Sequence, residues 1–121
     1  MAQHDATIAC WDTKYAYLEP RPVQADSTIT TLFATPQHPS YPSGHACASA
    51  AAAGVLAGAF PEWASYFNDR AREGGLSTFY AGIHYPNDVD QGLSLGTAVA
   101  KIVLPVAALA APQRSSHRRP E

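Results

Sequence analysis

The chain has 121 residues, room for one domain and no second. Charged residues make up 15%, against a typical share of about 25%, which excludes a disordered chain. The formal net charge of −2 gives no overall pull toward nucleic acid or anionic lipid.

Met1 is followed by Ala-Gln-His-Asp, with neither a basic stretch nor an apolar run behind it, so no signal peptide is read and a soluble chain is expected. Apolar residues Ile8, Trp11, Tyr15 and Leu18 recur at helical steps and predict a helix over Asp5 to Leu18, stopped by Pro20 and Pro22. Cys10 on that helix and Cys47 further on sit among small apolar residues without metal-ligand spacing, as buried small hydrophobes do. Val23 to Ser40 has no period and reads as a connecting loop. The Ala-, Gly- and Val-rich run from His45 to Phe60 predicts a closely packed helix ended by Pro61. A short helical turn over Glu62 to Phe67 and a second helix over Asp69 to Ile83 follow, the latter weakened by Gly74-Gly75 at about 1 kcal/mol per glycine. Asn87 is placed as the cap of a last helix from Asp88 to Leu109, with a kink at Pro105. Ser94, Thr97, Lys101 and Pro105 interrupt its apolar stretch, which therefore reads as a packed helix and not a membrane span. The fold class is all-α, a bundle of about four main helices in a single domain over 1–111. Residues 112–121, with Arg114, His117, Arg118 and Arg119, read as a disordered basic tail.

Three short segments carry chemistry. In Pro42-Ser43-Gly44-His45 a Ser-Gly turn opens directly into a helix. Unpartnered N–H groups and the helix dipole make such an opening an anion site, although an ordinary Ser43 cap with a surface His45 fits the same residues. Lys14 and Arg21 stand seven residues apart. On a continuing helix of 3.6 residues per turn both would project to one side, where a solvated pair is the alternative. In His84-Tyr85-Pro86-Asn87-Asp88 a carboxylate follows an imidazole across a helix start. It would fix the ring tautomer and leave the other nitrogen free to attack, or simply make a structural pair. A metal site is the minor reading, because His4, His38 and His117 fall in irregular or terminal contexts that complete no ligand set.

Taken together and in order, Lys14 through Arg21-Pro22, then Pro42-Ser43-Gly44-His45, then Ser77-Thr78 leading to His84 and Asp88, the segments resemble the three-part signature of the type 2 phosphatidic acid phosphatase and vanadium haloperoxidase superfamily. The wording around Lys14 and His84 is similar to the soluble bacterial haloperoxidase-like branch, with which a mean hydropathy of −0.16 agrees. The resemblance implies that His84 attacks phosphorus to form a phosphohistidine, or binds vanadium in a haloperoxidase. Asp88 orients His84, and His45 is general acid and then base. Lys14, Arg21, Ser43 and Gly44 hold the equatorial oxygens. It implies a phosphorylated small molecule as substrate with no cofactor, or vanadate with a halide, and neither nucleic acid nor an integral-membrane form. Thr78 departs from the pattern, standing where the family has an arginine. Arg70 and Arg72 lie too far back along the same helix to replace it. The family's further N-terminal helices are absent from the sequence, so a truncated origin or association with a second copy is expected. A phosphomonoesterase is the leading expectation, a vanadium-dependent haloperoxidase the second and a degenerate, non-catalytic helical fragment the third.

Overall fold

The computed structural model describes residues 1–110, with side chains described as far as Val106. The tail expected over 112–121 lies outside these residues. Five α-helices follow one another, α1 (Ala2–Tyr17), α2 (Pro22–Ala25), α3 (Gly44–Ala59), α4 (Ala64–Tyr80) and α5 (Pro86–Ala110), with a 3-10 turn over Pro61–Trp63 and no strand among the described residues. Four of the helices are long and form the bundle. α3 lies in the middle, against α1, α4 and α5.

Helix α1 turns the opposite face inward from the one its large apolar residues suggest. Ala2, Ala6, Cys10 and Lys14 are its buried stripe, while Ile8, Tyr15 and Leu18 are 58%, 56% and 64% exposed. The reason is the partner: α3 presents Ala46, Cys47, Ala50, Ala51 and Ala53 as its buried residues, and two helices so close admit only small side chains between them. Leu18 ends α1 in the left-handed conformation at φ 55°, its N–H returning to the Lys14 carbonyl. Arg21 then starts α2 as its N-cap, with Pro22 in the first helical position. This short helix falls at the start of the stretch read as a connecting loop from Val23.

The turn expected over Glu62 to Phe67 is confined to the 3-10 turn at Pro61–Trp63, and α4 begins already at Ala64, runs through Gly74-Gly75 without a break and ends at Tyr80, short of the expected Ile83. A Cβ at Gly75 would stand 2.9 Å from Val89 Cγ1 and 3.3 Å from Ala46 Cβ. The glycine therefore lets α4 approach α3 and α5, and that packing offsets its poor propensity. Asn87 is inside α5 and not its cap, since Pro86 takes the first position, where a missing N–H costs nothing. The capping acceptor is Asp88, whose Oδ2 receives the Tyr85 N–H at 3.1 Å. The helix continues through Pro105. At Gly92 a Cβ would come within 2.6 Å of the Ser43 carbonyl oxygen, so the start of α3 lies directly on α5 beside Asp88. Both cysteines are buried free thiols. No helix of the described residues is long and apolar enough to cross a membrane.

Candidate active site

The site forms where α4 hands over to α5. Gly82, at φ 78°, turns the chain and delivers Ile83 and His84 into the interior, at 2% and 4% exposure. His84 Nδ1 lies 3.0 Å from Asp88 Oδ2. The same oxygen also accepts the Tyr85 N–H and the Ser40 hydroxyl. Burial pushes the Asp88 carboxyl up, but the hydrogen bonds from His84, Ser40 and Tyr85 outweigh it and hold the group below the usual carboxylate range. Burial pushes His84 down. The bond to Asp88 opposes this, the charges of Arg21 and Lys14 add to it, and the imidazole ends below its ordinary 6.5. Near neutral pH the pair is a neutral imidazole beside a carboxylate.

Its tautomer follows from Arg21. The guanidinium NH1 is 3.2 Å from His84 Nε2, and a guanidinium can only donate. Nε2 therefore carries the lone pair, and Nδ1 carries the proton donated to Asp88. Arg21 is itself only 1% exposed. It is held by NH1 to the Ile83 carbonyl at 2.8 Å and by Nε to the His38 carbonyl at 3.0 Å.

A cavity of about 320 Å³ opens at His84, lined also by Arg21, Gly44, His45 and His38 and by the apolar Trp11, Phe33 and Pro36. His45 sits exposed on the first turn of α3. Four of the residues singled out in the sequence thus meet in one cavity, and Asp88 stands directly behind His84.

Lys14 and Ser43 are placed differently. Lys14 is fully buried, and Nζ donates to the carbonyls of Pro39, Ser40 and Pro42 at 2.8, 2.9 and 2.6 Å. Those three bonds engage every proton of the ammonium, so what it offers an oxyanion is nearby charge. Desolvation lowers its pKa to about 8. Lys14 and Arg21 do not project from one helix face, because α1 stops at Tyr17 and Arg21 is extended at φ −72° and ψ 156°. Ser43 is a buried N-cap whose Oγ accepts from the Ala46 N–H at 3.4 Å and lies 3.3 Å from Thr78 Oγ1. Thr78 is 3% exposed and donates to the Gly75 carbonyl at 2.7 Å, so a buried hydroxyl fills the position where a second guanidinium was expected. Arg70 pairs instead with Glu73 on the exposed side of α4.

Two residues carry more than the sequence reading assigned. Ser40, read as the end of a connecting loop, is wholly buried and bonded to Asp88 across 48 positions. His38, set aside for its irregular context, packs its ring 5.1 Å from Trp11 and its Nδ1 3.3 Å from Arg21 NH2. Burial, then the charges of Arg21 and Lys14, push it below the ordinary imidazole range. The available signal was proximity to Pro42-Ser43-Gly44-His45. The partners themselves lie too far along the chain for spacing to reveal.

Fold and site together define an all-helical protein whose buried histidine–aspartate pair faces an arginine-lined cavity suited to an oxyanion. The chain belongs to the PAP2 superfamily, whose family model matches residues 6–110. Among solved structures it is similar to the first bacterial vanadium-dependent iodoperoxidase, with 30% identity and a TM-score of 0.76 over 86% of this chain and 30% of that one. It also shares its fold with a transmembrane PAP2-type phosphatidylglycerolphosphate phosphatase from Bacillus subtilis, with 21% identity and a TM-score of 0.61 over 93% of this chain and 59% of that one. The chain thus spans 30% and 59% of the lengths of these two proteins. No curated protein matches it.

Proposed function

We propose that the chain is a phosphomonoesterase working through a phosphohistidine on His84. The observation that carries this reading is the His84 ring itself, with Nδ1 donating to Asp88 and an unprotonated Nε2 beside Arg21 at the cavity. Nε2 attacks phosphorus, the P–O bond to the leaving group breaks, and His45 protonates the departing alkoxide. His45 then takes a proton from water, whose oxygen attacks phosphorus and breaks the P–N bond, releasing orthophosphate and restoring His84. Arg21 and the Gly44 N–H hold the equatorial oxygens where negative charge accumulates, with the Lys14 charge behind them. Ser43 contributes by fixing the first turn of α3.

A second reading is a vanadium-dependent haloperoxidase, favoured by the likeness to the iodoperoxidase at 30% identity. The lone pair on Nε2 and the adjacent guanidinium fit an oxyanion held by histidine. His84, Arg21 and Gly44 would hold vanadate, which when bound supplies the Lewis acidity that activates peroxide toward a halide. Thr78 leaves both cradles with one guanidinium.

Hydrolysis of an aryl phosphate, unaffected by chelator, inhibited by vanadate and lost in His84→Ala, tests the first reading. Turnover unchanged in a folded His84→Ala would end it. Halide oxidation by peroxide that appears only on adding vanadate would favour the second. Neither activity, in the native chain or in Thr78→Arg, would leave the non-catalytic reading.

A further inference from the structure

We propose that Ser40 is a positioning residue, its hydroxyl locking the Asp88 carboxylate that sets the tautomer of His84. The proposal rests on the reading of His84 as nucleophile but stands on its own geometry. Ser40 lies outside the three signature segments and is fully buried. Its backbone is fixed on both sides: the N–H donates to the Glu19 carbonyl at 2.9 Å, and the carbonyl accepts from Lys14 Nζ at 2.9 Å. With the peptide units pinned, the hydroxyl has one place to go. It donates to Asp88 Oδ2 and lies 3.4 Å from His84 Nδ1.

The consequence concerns which nitrogen is free. Asp88 reaches the site from α5 and Ser40 from the loop ahead of α3, so the hydroxyl ties the carboxylate to a second, independent part of the fold. Three donors converge on Oδ2: Ser40 Oγ, His84 Nδ1 and the Tyr85 N–H. That oxygen is thereby held toward Nδ1 and closed to water. Without the Ser40 donor, Asp88 is free to turn about its terminal torsion or to take up a water, and the bond that keeps the proton on Nδ1 loosens. The preference for the Nδ1 proton then rests on Arg21 NH1 beside Nε2 and weakens, and the fraction of neutral imidazole that carries its proton on Nε2 cannot attack phosphorus. Lys14 acquires a specific part in this arrangement. By gripping the carbonyls of Pro39, Ser40 and Pro42 it sets the loop from which Ser40 reaches Asp88.

The test uses the full chain labelled with nitrogen-15, with Ser40→Ala and Ser40→Cys. The cysteine fills the hydroxyl's space but donates weakly, so it decides the matter should the alanine variant not fold. In the native chain at neutral pH, His84 Nδ1 should resonate as a protonated nitrogen and Nε2 as an unprotonated one. In the variants the two resonances should move toward each other, and kcat for an aryl phosphate should fall about tenfold with KM within about twofold. Ring resonances identical to the native ones in a folded variant would overturn the proposal, since a merely structural serine leaves them in place. Should the native chain hydrolyse no phosphate ester, the phosphatase reading fails while the ring nitrogens still report on Ser40.

Discussion

Replacing Lys14 by methionine separates a clamp from a ligand. The ammonium is wholly buried, and desolvation takes its pKa from 10.5 to about 8, which corresponds to about 3 kcal/mol against the charged form. Methionine removes that cost but strips the donor from the carbonyls of Pro39, Ser40 and Pro42, leaving Pro42 only the weak Cys10 thiol at 3.8 Å. At about 2 kcal/mol for each carbonyl left without its donor, the lost bonds outweigh the relieved burial by about 3 kcal/mol. Urea unfolding at pH 7 should therefore show Lys14→Met less stable by roughly 2 to 4 kcal/mol. There is also a pH signature. The folded chain releases this proton near 8 and the unfolded chain near 10.5, so native stability should rise across that window by up to about 3 kcal/mol, a rise absent from the variant. A methionine variant as stable as the native chain would refute the clamp and return Lys14 to the oxyanion.

Asp88→Asn should keep the fold, place the imidazole proton on the wrong nitrogen and lower kcat for an aryl phosphate by about 10³ to 10⁴-fold; a loss under tenfold would remove the tautomer argument. Thr78→Arg should raise turnover by about 10²-fold if the second guanidinium reaches the cavity, whereas unchanged turnover in a folded variant would show that its absence does not limit the reaction. Because His84 must be neutral to attack and its pKa lies below 6.5, the acid limb of the pH–rate profile should fall below that value, activity dropping as pH falls through it. Stability should likewise weaken as pH falls from 6.5 toward the folded pKa, since the unfolded chain takes up this proton first. Gly92→Ala sets a Cβ 2.6 Å from the Ser43 carbonyl oxygen and should cost about 1 to 3 kcal/mol, visible as a lower thermal midpoint.

The sequence was most legible where chemistry is local. His84 and Asp88 share one helix start, and the Ser43-Gly44 turn opens α3, so spacing alone placed these side chains correctly relative to their own elements. The all-α class was legible for the same reason, from the helical steps and proline stops within each segment. It misled where two elements meet. On α1 the large side chains of Ile8 and Tyr15 define the more conspicuous stripe, yet Ala2 and Ala6 face in because the neighbouring helix is alanine-rich. Gly74-Gly75 looked like a weak point because propensity ignores Val89 and Ala46, whose proximity is what the missing Cβ permits. The family resemblance implies Lys14 as an oxyanion ligand, and spacing could not reveal the three carbonyls that the folded loop brings onto its ammonium. Ser40 and His38 were passed over because their partners, Asp88 and Arg21, are distant in the chain.

A phosphoryl group trapped on His84 would show whether its Nε2 is the proposed nucleophile. Mixing the chain with a phosphorus-32-labelled aryl phosphate and quenching within one turnover should leave label on the protein. The adduct should be stable to base and labile to acid, as a phosphohistidine is, and it should map to the peptide carrying His84. No labelled protein during observed turnover, or label that survives in His84→Ala, would rule out His84 as the nucleophile.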